Sequence, residues 1–385
     1  METRITISNE ILQWVMHSIA LPKLNESIKE RLMDWIRGDK QPTFNQLEAL
    51  SKATSIPLGY FFLNQPPNET CSILEYRTID SKELQNPSRN LLDTARHMED
   101  VQDWMRDYVT SELYEPNTFV GSIRVKDGMT HAVNTIRQLL KLNIDWYAQS
   151  DNADASFKKI RTAISNAGIL VMLNGTVGGN THRSLSVDEF RAFSLIDPIV
   201  PLIFINAADK SAGGRIFSLL HELVHIGVGE GSLLNTGEWA SWSAVSPMET
   251  FCNKVVAEIL VPESEFKRIW VNSDEDIEVR VSRIAAIFRC SHSVVVRRCL
   301  DSGYISAADY SKLQQKAKLI AQQTKKSSGG DYWATLLTRA DHRFLRALEN
   351  SVSEGRTPYT EAFRLTNTNL STFEPMMQRV RGELA

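Results

Sequence analysis

Two histidines and a glutamate in one short segment carry the clearest chemical signal of this 385-residue chain. His221 and His225 are four residues apart, and Glu222 stands beside the first of them, in the pattern H-E-x-x-H. On an α-helix, residues at i and i+4 lie on one face, about one turn apart. Both imidazoles could therefore reach one zinc ion, with Glu222 as a candidate general base. The segment predicts a metal-dependent hydrolase.

The residues around the motif predict a buried helix. Gly227 and Gly229 follow it as helix stops. Buried ionisable groups need partners, and a bound metal would supply one. The alternative is a chance occurrence of the pattern on an ordinary core helix. The apolar background favours the metal site, since apolar residues recur there at helical spacing: Ile216, Leu219, Leu220, Leu223 and Val224.

A second predicted helix, over residues 248–262, offers a third ligand, and Pro262 would end it. Glu249 can complete a His/His/Glu site with an open fourth position for water, which is the pattern of catalytic zinc. Asn253 lies at i+4 from Glu249 and would orient a ligand through a hydrogen bond. Glu258 lies further round the helix, and we favour a solvated or salt-bridged carboxylate there.

The two helices together resemble a known family. The segments F-S-L-L-H-E-L-V-H-I-G and E-T-F-C-N-K-V-V-A-E-I-L-V-P are similar to the H-E-x-x-H and E-x-x-x-N-x-x-A-x-E-x-L-x-P motifs of the ImmA/IrrE metallopeptidases. Upstream, the segments E-F-R-A-F and P-L-I-F-I-N resemble the F-R-G-F segment and the I-x-I-N strand of the same family. The resemblance implies a minimal gluzincin-type zinc peptidase domain. It carries over His221 and His225 as ligands, Glu249 as third ligand and Glu222 as catalytic base.

The resemblance covers roughly residues 70–385, most strongly 189–262, and it implies more than the ligands. In gluzincin-like peptidases the edge strand beside the metal helix holds extended substrate, and Leu202–Asn206 is the candidate here, although an ordinary core strand explains its apolar residues equally well. Gly213 and Gly214 depart from the family, whose members usually carry bulkier residues there, and would loosen the helix start. Peptide hydrolysis also needs a side chain that stabilises the developing oxyanion, and the candidates are His182, Arg183, His292 and Tyr332.

The first 65 residues predict a separate all-α unit of short amphipathic helices. Asn25 and Thr43 are the expected N-caps of the second and third helix. The stretch W-x-x-G-x-x-x-P-T-x-x-Q-L resembles XRE-type helix-turn-helix domains, which often precede ImmA/IrrE peptidase domains. The predicted helices are 11–20, 25–36 and 44–53.

DNA contact by this unit is an open question at the level of sequence. Seven Lys and Arg balance seven Asp and Glu in residues 1–65, and a neutral domain has little phosphate-neutralising charge. The alternative is a helix-turn-helix used for protein contact or dimerisation, since fold alone does not fix function. The candidate DNA-binding residues, which could cluster around a recognition helix, are Lys29, Arg31, Arg37 and Lys40.

The predicted fold class is α+β. Three domains are expected: an all-α helix-turn-helix domain over 1–65, a peptidase domain with a small mixed sheet over 66–270, and a helical region over 271–385. A mobile loop with Trp239 and Trp242 would lie over the site. The remaining predicted strands are 168–174, 190–196 and 202–206, and the remaining predicted helices are 90–112, 130–142, 153–167, 277–301 with a break at 290–291, 307–325, 332–349 and 359–365.

Composition narrows the class of protein. Hydrophobic residues make up 42% and charged residues 23%, as in soluble globular proteins, and a net charge of −3 argues against a general polyanion-binding surface. We expect no transmembrane helix and no signal peptide, and hence a cytoplasmic protein. The four cysteines are too far apart for a C-x-x-C pair and are expected to be free thiols: Cys71, Cys252, Cys290 and Cys299.

These features together predict a zinc-dependent endopeptidase. The resemblance implies a narrow protein substrate, such as a helix-turn-helix transcriptional repressor cleaved in a stress or mobile-element response. The alternative is a DNA-binding transcriptional regulator, or an antitoxin or defence component, in which the zinc domain is a sensor or scaffold. Expected partners are the protein substrate, DNA through the first domain, and a second copy of the chain. Manganese would suit the same ligands.

Overall fold

The computed structural model describes residues 4–18, 25–67, 87–112, 115–230, 232–234, 247–270, 275–323 and 331–382. Helices dominate, and one small mixed sheet lies in the middle of the chain, so the predicted α+β class is confirmed. The chain divides into two compact units, Met1–Leu74 with Ser81–Arg96 and Glu75–Asp80 with His97–Ala385. The predicted boundaries at 65 and 270 stay predictions. Trp239, Trp242 and Cys71 lie outside the described residues.

The first unit begins with three short helices: α1 (Asn9–Ser18), α2 (Glu26–Arg37) and α3 (Phe44–Thr54). Both predicted N-caps are confirmed. The Asn25 side chain accepts a hydrogen bond from the Ser27 amide, and Thr43 forms a capping box with Gln46. A 3₁₀ turn over Leu58–Phe62 follows α3. Apolar side chains from all these elements form one core: Ile11, Leu12, Val15, Leu32, Trp35, Leu47, Leu50, Ile56 and Phe61.

The remaining elements follow in chain order. Before the metal helix they are α4 (Arg89–Ser111), α5 (Met129–Leu140), α6 (Ala153–Asn166), β1 (Leu170–Asn174), β2 (Ala192–Leu195) and β3 (Leu202–Asn206). The H-E-x-x-H motif lies on α7 (Ala212–Val228), and Glu249 lies on α8 (Pro247–Leu260), with β4 (Ser232–Leu234) between them. The later helices are α9 (Glu263–Ile269), α10 (Ile277–Phe288), α11 (His292–Asp301), α12 (Ala307–Gln323), α13 (Tyr332–Arg339), α14 (His342–Ser353), α15 (Tyr359–Thr366) and α16 (Leu370–Gly382).

The sheet has the strand order β1-β3-β2-β4. β1 pairs with β3 in parallel, whereas β2 pairs antiparallel with both β3 and β4. Leu202–Asn206 is therefore an interior strand, with both sides engaged in backbone hydrogen bonds. The expectation that it is an edge strand holding substrate is wrong, and the core-strand alternative is correct. Residues 232–234, for which no strand was predicted, form β4 at the opposite edge of the sheet, beside β2.

One apolar core joins the sheet to the helices around it. α7 packs against α6, α8, β2 and β3. The core extends past residue 270, because Val281, Ile284 and Phe288 of α10 and Val294 and Val295 of α11 belong to the same cluster as the residues of α7. The helix that carries the motif is thus held from several sides. Among the described residues, no helix is both long and apolar enough to cross a bilayer.

The last part of the chain differs from the helices predicted for it. The helix predicted over 332–349 is two helices, because Asp341 turns the backbone to an extended conformation and caps α14 by accepting from the Arg343 amide. Helix α16 was not predicted, since Pro375 lies inside it and proline disfavours a helix interior. The break between α10 and α11 at residues 290–291 is confirmed.

Candidate metal centre

Helix α7 begins and ends with strong local signals. The Ser211 side chain accepts a hydrogen bond from the Gly214 amide at 3.0 Å, and Gly229 ends the helix with a φ of 85°. Every residue from Ile216 to Gly227 is buried, so the helix is covered on all sides. A helix that is apolar nearly all round belongs in a core, and here it carries three ionisable side chains into that core.

Gly213 and Gly214 fit close neighbours at the start of this helix. A Cβ at Gly213 would lie 2.6 Å from the backbone of Cys290 and of Ser291, and one at Gly214 would lie 2.8 Å from Asp209 Oδ2. Real Cβ atoms do not approach backbone so closely. The sequence suggested that these two glycines loosen the helix start, and the structure contradicts this expectation. They let the turn between α10 and α11 and the Asp209 carboxylate pack directly against it.

The structure brings His221, His225 and Glu249 together. The Nε2 atom of His221 lies 3.0 Å from Glu249 Oε2, and that of His225 lies 3.1 Å from Glu249 Oε1. The two Nε2 atoms are 3.1 Å from each other. His221 is 0%, His225 2% and Glu249 7% exposed. The three side chains thus form a buried triangle, in which the two imidazoles face each other and each also faces a different oxygen of Glu249.

This triangle fits a tetrahedral metal ion. Zinc bonds of about 2.0–2.1 Å in tetrahedral geometry set neighbouring ligand atoms about 3.3 Å apart, close to the observed 3.0–3.1 Å. Without a cation, two imidazole nitrogens and a carboxylate would face one another out of contact with water, which is costly. The donor set, two nitrogens and one carboxylate, is that of catalytic zinc and leaves a fourth position for water.

Charge at the site shifts two pKa values. Burial alone would raise the pKa of Glu249, but the neighbouring charge and hydrogen bond of His221, together with those of His225, outweigh it, and the pKa falls well below its usual range. Burial raises the pKa of the Cys252 thiol well above its ordinary value, and the Glu249 and Glu222 carboxylates raise it further. Glu249 is therefore ionised and ready to bind a cation, whereas Cys252 stays protonated as a core residue.

The other predicted site residues fare differently. Glu222 is 0% exposed and follows His221 on α7. Asn253 lies on α8 one turn after Glu249, but its Oδ1 atom is buried without a hydrogen-bond partner among the described residues, so no ligand-orienting bond is seen. The neighbouring Glu258 forms an ion pair with Arg298 at 2.9 Å, as expected. Neither Nδ1 atom of His221 or His225 has a hydrogen-bond partner in the described part of the chain.

The fold favours none of the four candidate oxyanion stabilisers, since none of them lies on α7 or α8. His182 and Arg183 belong to the loop between β1 and β2, where His182 is exposed. His292 begins α11 and lies 3.2 Å from Ser282 Oγ. Tyr332 begins α13 and is 58% exposed.

The candidate DNA-binding residues lie on and just after α2, and most are paired. Lys29 forms an ion pair with Glu26, and Arg37 and Lys40 both bind Asp34, at 2.7–2.8 Å. Arg37 also binds Asp39. Arg31 is exposed. Neighbouring carboxylates thus already neutralise three of the four cations.

Comparison with known proteins gives two family matches. Residues 165–300 match the model described as the IrrE N-terminal-like domain, a segment that contains the sheet strands β1–β4, α7 and α8. Residues 340–379 match a domain of unknown function, DUF8813. No curated protein matches the chain.

Proposed function

We propose that this chain is a zinc-dependent endopeptidase, a proposal supported by the match of residues 165–300 to the IrrE N-terminal-like domain. The observation that carries the proposal is the buried triangle of His221, His225 and Glu249, whose ligand atoms lie 3.0–3.1 Å apart. Glu222 adds, on the same helix as the histidines, the carboxylate that peptide hydrolysis needs.

Each side chain would have a distinct task. The two histidines and Glu249 would hold the ion. Once bound, zinc would supply a Lewis acid and lower the pKa of a water molecule toward neutrality. Glu222 would accept the proton of the attacking water and later return it to the leaving nitrogen. Since Glu222 is 0% exposed, its carboxylate acts in a low-dielectric environment, where charge interactions are stronger than in water.

The same burial supports a narrow substrate range. Since Glu222 is 0% exposed, we propose that a substrate must first bind well enough to open a path to its carboxylate. We propose a specific protein substrate, such as a helix-turn-helix transcriptional repressor, cleaved in a stress or mobile-element response within the cytoplasm. This choice of substrate rests on the resemblance to the ImmA/IrrE family.

The experiment that tests hydrolysis uses Glu222→Gln. Purified chain would be incubated with repressors encoded beside it, and cleavage would be followed by mass spectrometry. We expect the variant to keep its zinc and its thermal unfolding midpoint while cleavage falls by about 10²–10⁴-fold, the usual contribution of a general base. Glu258→Gln is the matched control, because its carboxylate binds Arg298. Cleavage by Glu222→Gln at the wild-type rate would refute the assignment.

The alternative is a transcriptional regulator, antitoxin or defence component whose zinc domain is a sensor or scaffold. It differs from the peptidase proposal in the result for Glu222. If Glu222→Gln loses zinc or unfolds, and the wild-type chain cleaves no repressor, the carboxylate is structural and the alternative stands. The ion pairs of Lys29, Arg37 and Lys40 weigh against DNA binding by the first unit, since fewer free cations remain for DNA phosphates.

A further inference from the structure

An edge of the sheet is closed by side chains from elsewhere in the chain. β1 is an edge strand in the order β1-β3-β2-β4, and edge strands present unpaired N–H and C=O groups. Here the Val171 amide donates to Asp341 Oδ2 at 2.9 Å, and the Val171 carbonyl accepts from Arg161 Nη2 at 2.8 Å. A carboxylate and a guanidinium thus bond both backbone groups of one residue, as the backbone of a neighbouring strand would.

Asp341 performs a second task with its other oxygen. Its Oδ1 atom accepts from the Arg343 amide at 2.8 Å, which caps α14, and from Ser165 Oγ at 2.8 Å. Its own amide lies 3.3 Å from Met172 Sδ on β1. Asp341 is 1% exposed, so these bonds form away from water, where an unmade hydrogen bond is costly. One carboxylate therefore both starts α14 and closes β1.

Arg161 holds the other side of this junction. Its Nη1 atom donates to the Thr338 carbonyl at 2.8 Å and its Nη2 atom also donates to the Ala340 carbonyl at 2.9 Å. The planar guanidinium thus ties the end of α13, the residue before Asp341 and the Val171 carbonyl to α6. A lysine, with a single ammonium, cannot reproduce this fork.

The rest of the segment is fixed at further points. Trp104 Nε1 on α4 donates to Thr357 Oγ1 at 3.2 Å, and Arg364 binds Asp100 at 2.6 Å. In the loop after β1, a Cβ at Gly178 would lie 2.7 Å from Asn367 Oδ1. Residues 340–379 therefore dock against α4 and this loop as well as β1, and they are not a loosely attached tail.

We propose that residues 340–379, the segment matched to a domain of unknown function, serve as the edge cap of the peptidase sheet. Asp341, with Arg161, takes the place of a neighbouring strand on β1 and keeps that edge from pairing with another chain.

The test is hydrogen exchange of the full chain, read over residues 168–176, in Asp341→Ala. Alanine has no side-chain acceptor, so neither the Val171 amide nor the Arg343 amide keeps its side-chain partner. We expect exchange in this peptide to become at least about tenfold faster, because the Val171 amide loses its partner. The matched control is Asp331→Ala, which removes a carboxylate that caps α13 by accepting from the Trp333 amide on an exposed surface. It should leave β1 unchanged.

A folded Asp341→Ala variant with wild-type exchange in β1, or with faster exchange only in α14, would overturn the proposal. If that variant does not fold, Arg161→Lys serves instead, and it too should speed exchange over 168–176. Unchanged exchange in a folded Arg161→Lys would likewise overturn it. No substrate or zinc is needed, so this outcome is separate from the fate of the proposed hydrolysis.

Discussion

Glu249 shows how much one side chain decides at this site. It comes from a different helix than the two histidines, yet each of its oxygens lies 3.0–3.1 Å from one imidazole nitrogen. Its lowered pKa means that the folded state carries it as a carboxylate although burial opposes the charge. A divalent cation would stabilise this arrangement, in which a buried carboxylate faces two imidazole nitrogens.

At this scale we predict that Glu249→Gln loses the metal. The amide keeps the shape but removes the negative ligand, so zinc content should fall from about one ion per chain to less than about a tenth. Plasma mass spectrometry measures this directly. Zinc at 100 times its Kd should stabilise the wild-type fold by about 2.7 kcal/mol and the variant hardly at all. Glu258→Gln should bind zinc as the wild type does, and equal zinc in all three proteins would contradict the three-ligand site.

At the scale of elements, the start of α7 depends on what packs against it. The backbone between α10 and α11 approaches Gly213 so closely that any Cβ there would lie 2.6 Å from it. Backbone cannot move aside as a flexible side chain can, because two helices are attached to it. The position of the metal helix is thus set by residues about 75 positions later in the chain.

We therefore predict that Gly213→Ala destabilises the fold by about 1–3 kcal/mol, the usual cost of overpacking. Urea unfolding followed by circular dichroism measures it. Gly382→Ala is the control, because a Cβ there meets nothing within 4 Å, and surface changes usually stay within about 0.5 kcal/mol. Equal midpoints for the two variants would show that the turn moves aside freely.

At the scale of the whole molecule, the two compact units differ in chemistry. The buried ionisable cluster lies in the second unit, whereas the candidate DNA-binding residues lie in the first. Among these cations, Arg37 and Lys40 share one carboxylate, that of Asp34. DNA phosphates would have to compete with that ion pair, and salt would weaken the contact.

The DNA-binding alternative predicts that Arg37→Ala with Lys40→Ala lowers affinity for a duplex. Removing two cations from a unit with seven of each sign leaves a net charge of −2 in residues 1–65. Binding of the full chain to a labelled duplex from its own upstream region, followed by fluorescence anisotropy, should weaken by at least about tenfold. Lys52→Ala, which breaks an ion pair with Glu48 on α3, is a control outside the predicted surface. Unchanged affinity in the double variant would exclude this surface.

Local chemistry in the sequence was enough for much of the site. The spacing of His221 and His225 follows from helix periodicity, and the caps Asn25 and Thr43 act within three residues of their own position, so a single segment contains all the information. The apolar runs predicted β1, β2 and β3 for the same reason. Glu249 was found because its motif is also local, even though its contacts are not.

Tertiary structure decided whatever depends on a remote partner. The sequence of Leu202–Asn206 fits an edge strand and an interior strand equally well, and only its pairing with β1 on one side and β2 on the other places it inside the sheet. The sequence suggested that Gly213 loosens the start of the metal helix, whereas in the structure it allows close packing against the Cys290–Ser291 backbone. Asp341 interrupts a helical pattern because its carboxylate binds Val171, 170 residues earlier. Periodicity encodes which face of an element is buried, but not which hydrogen-bonding group will meet it there.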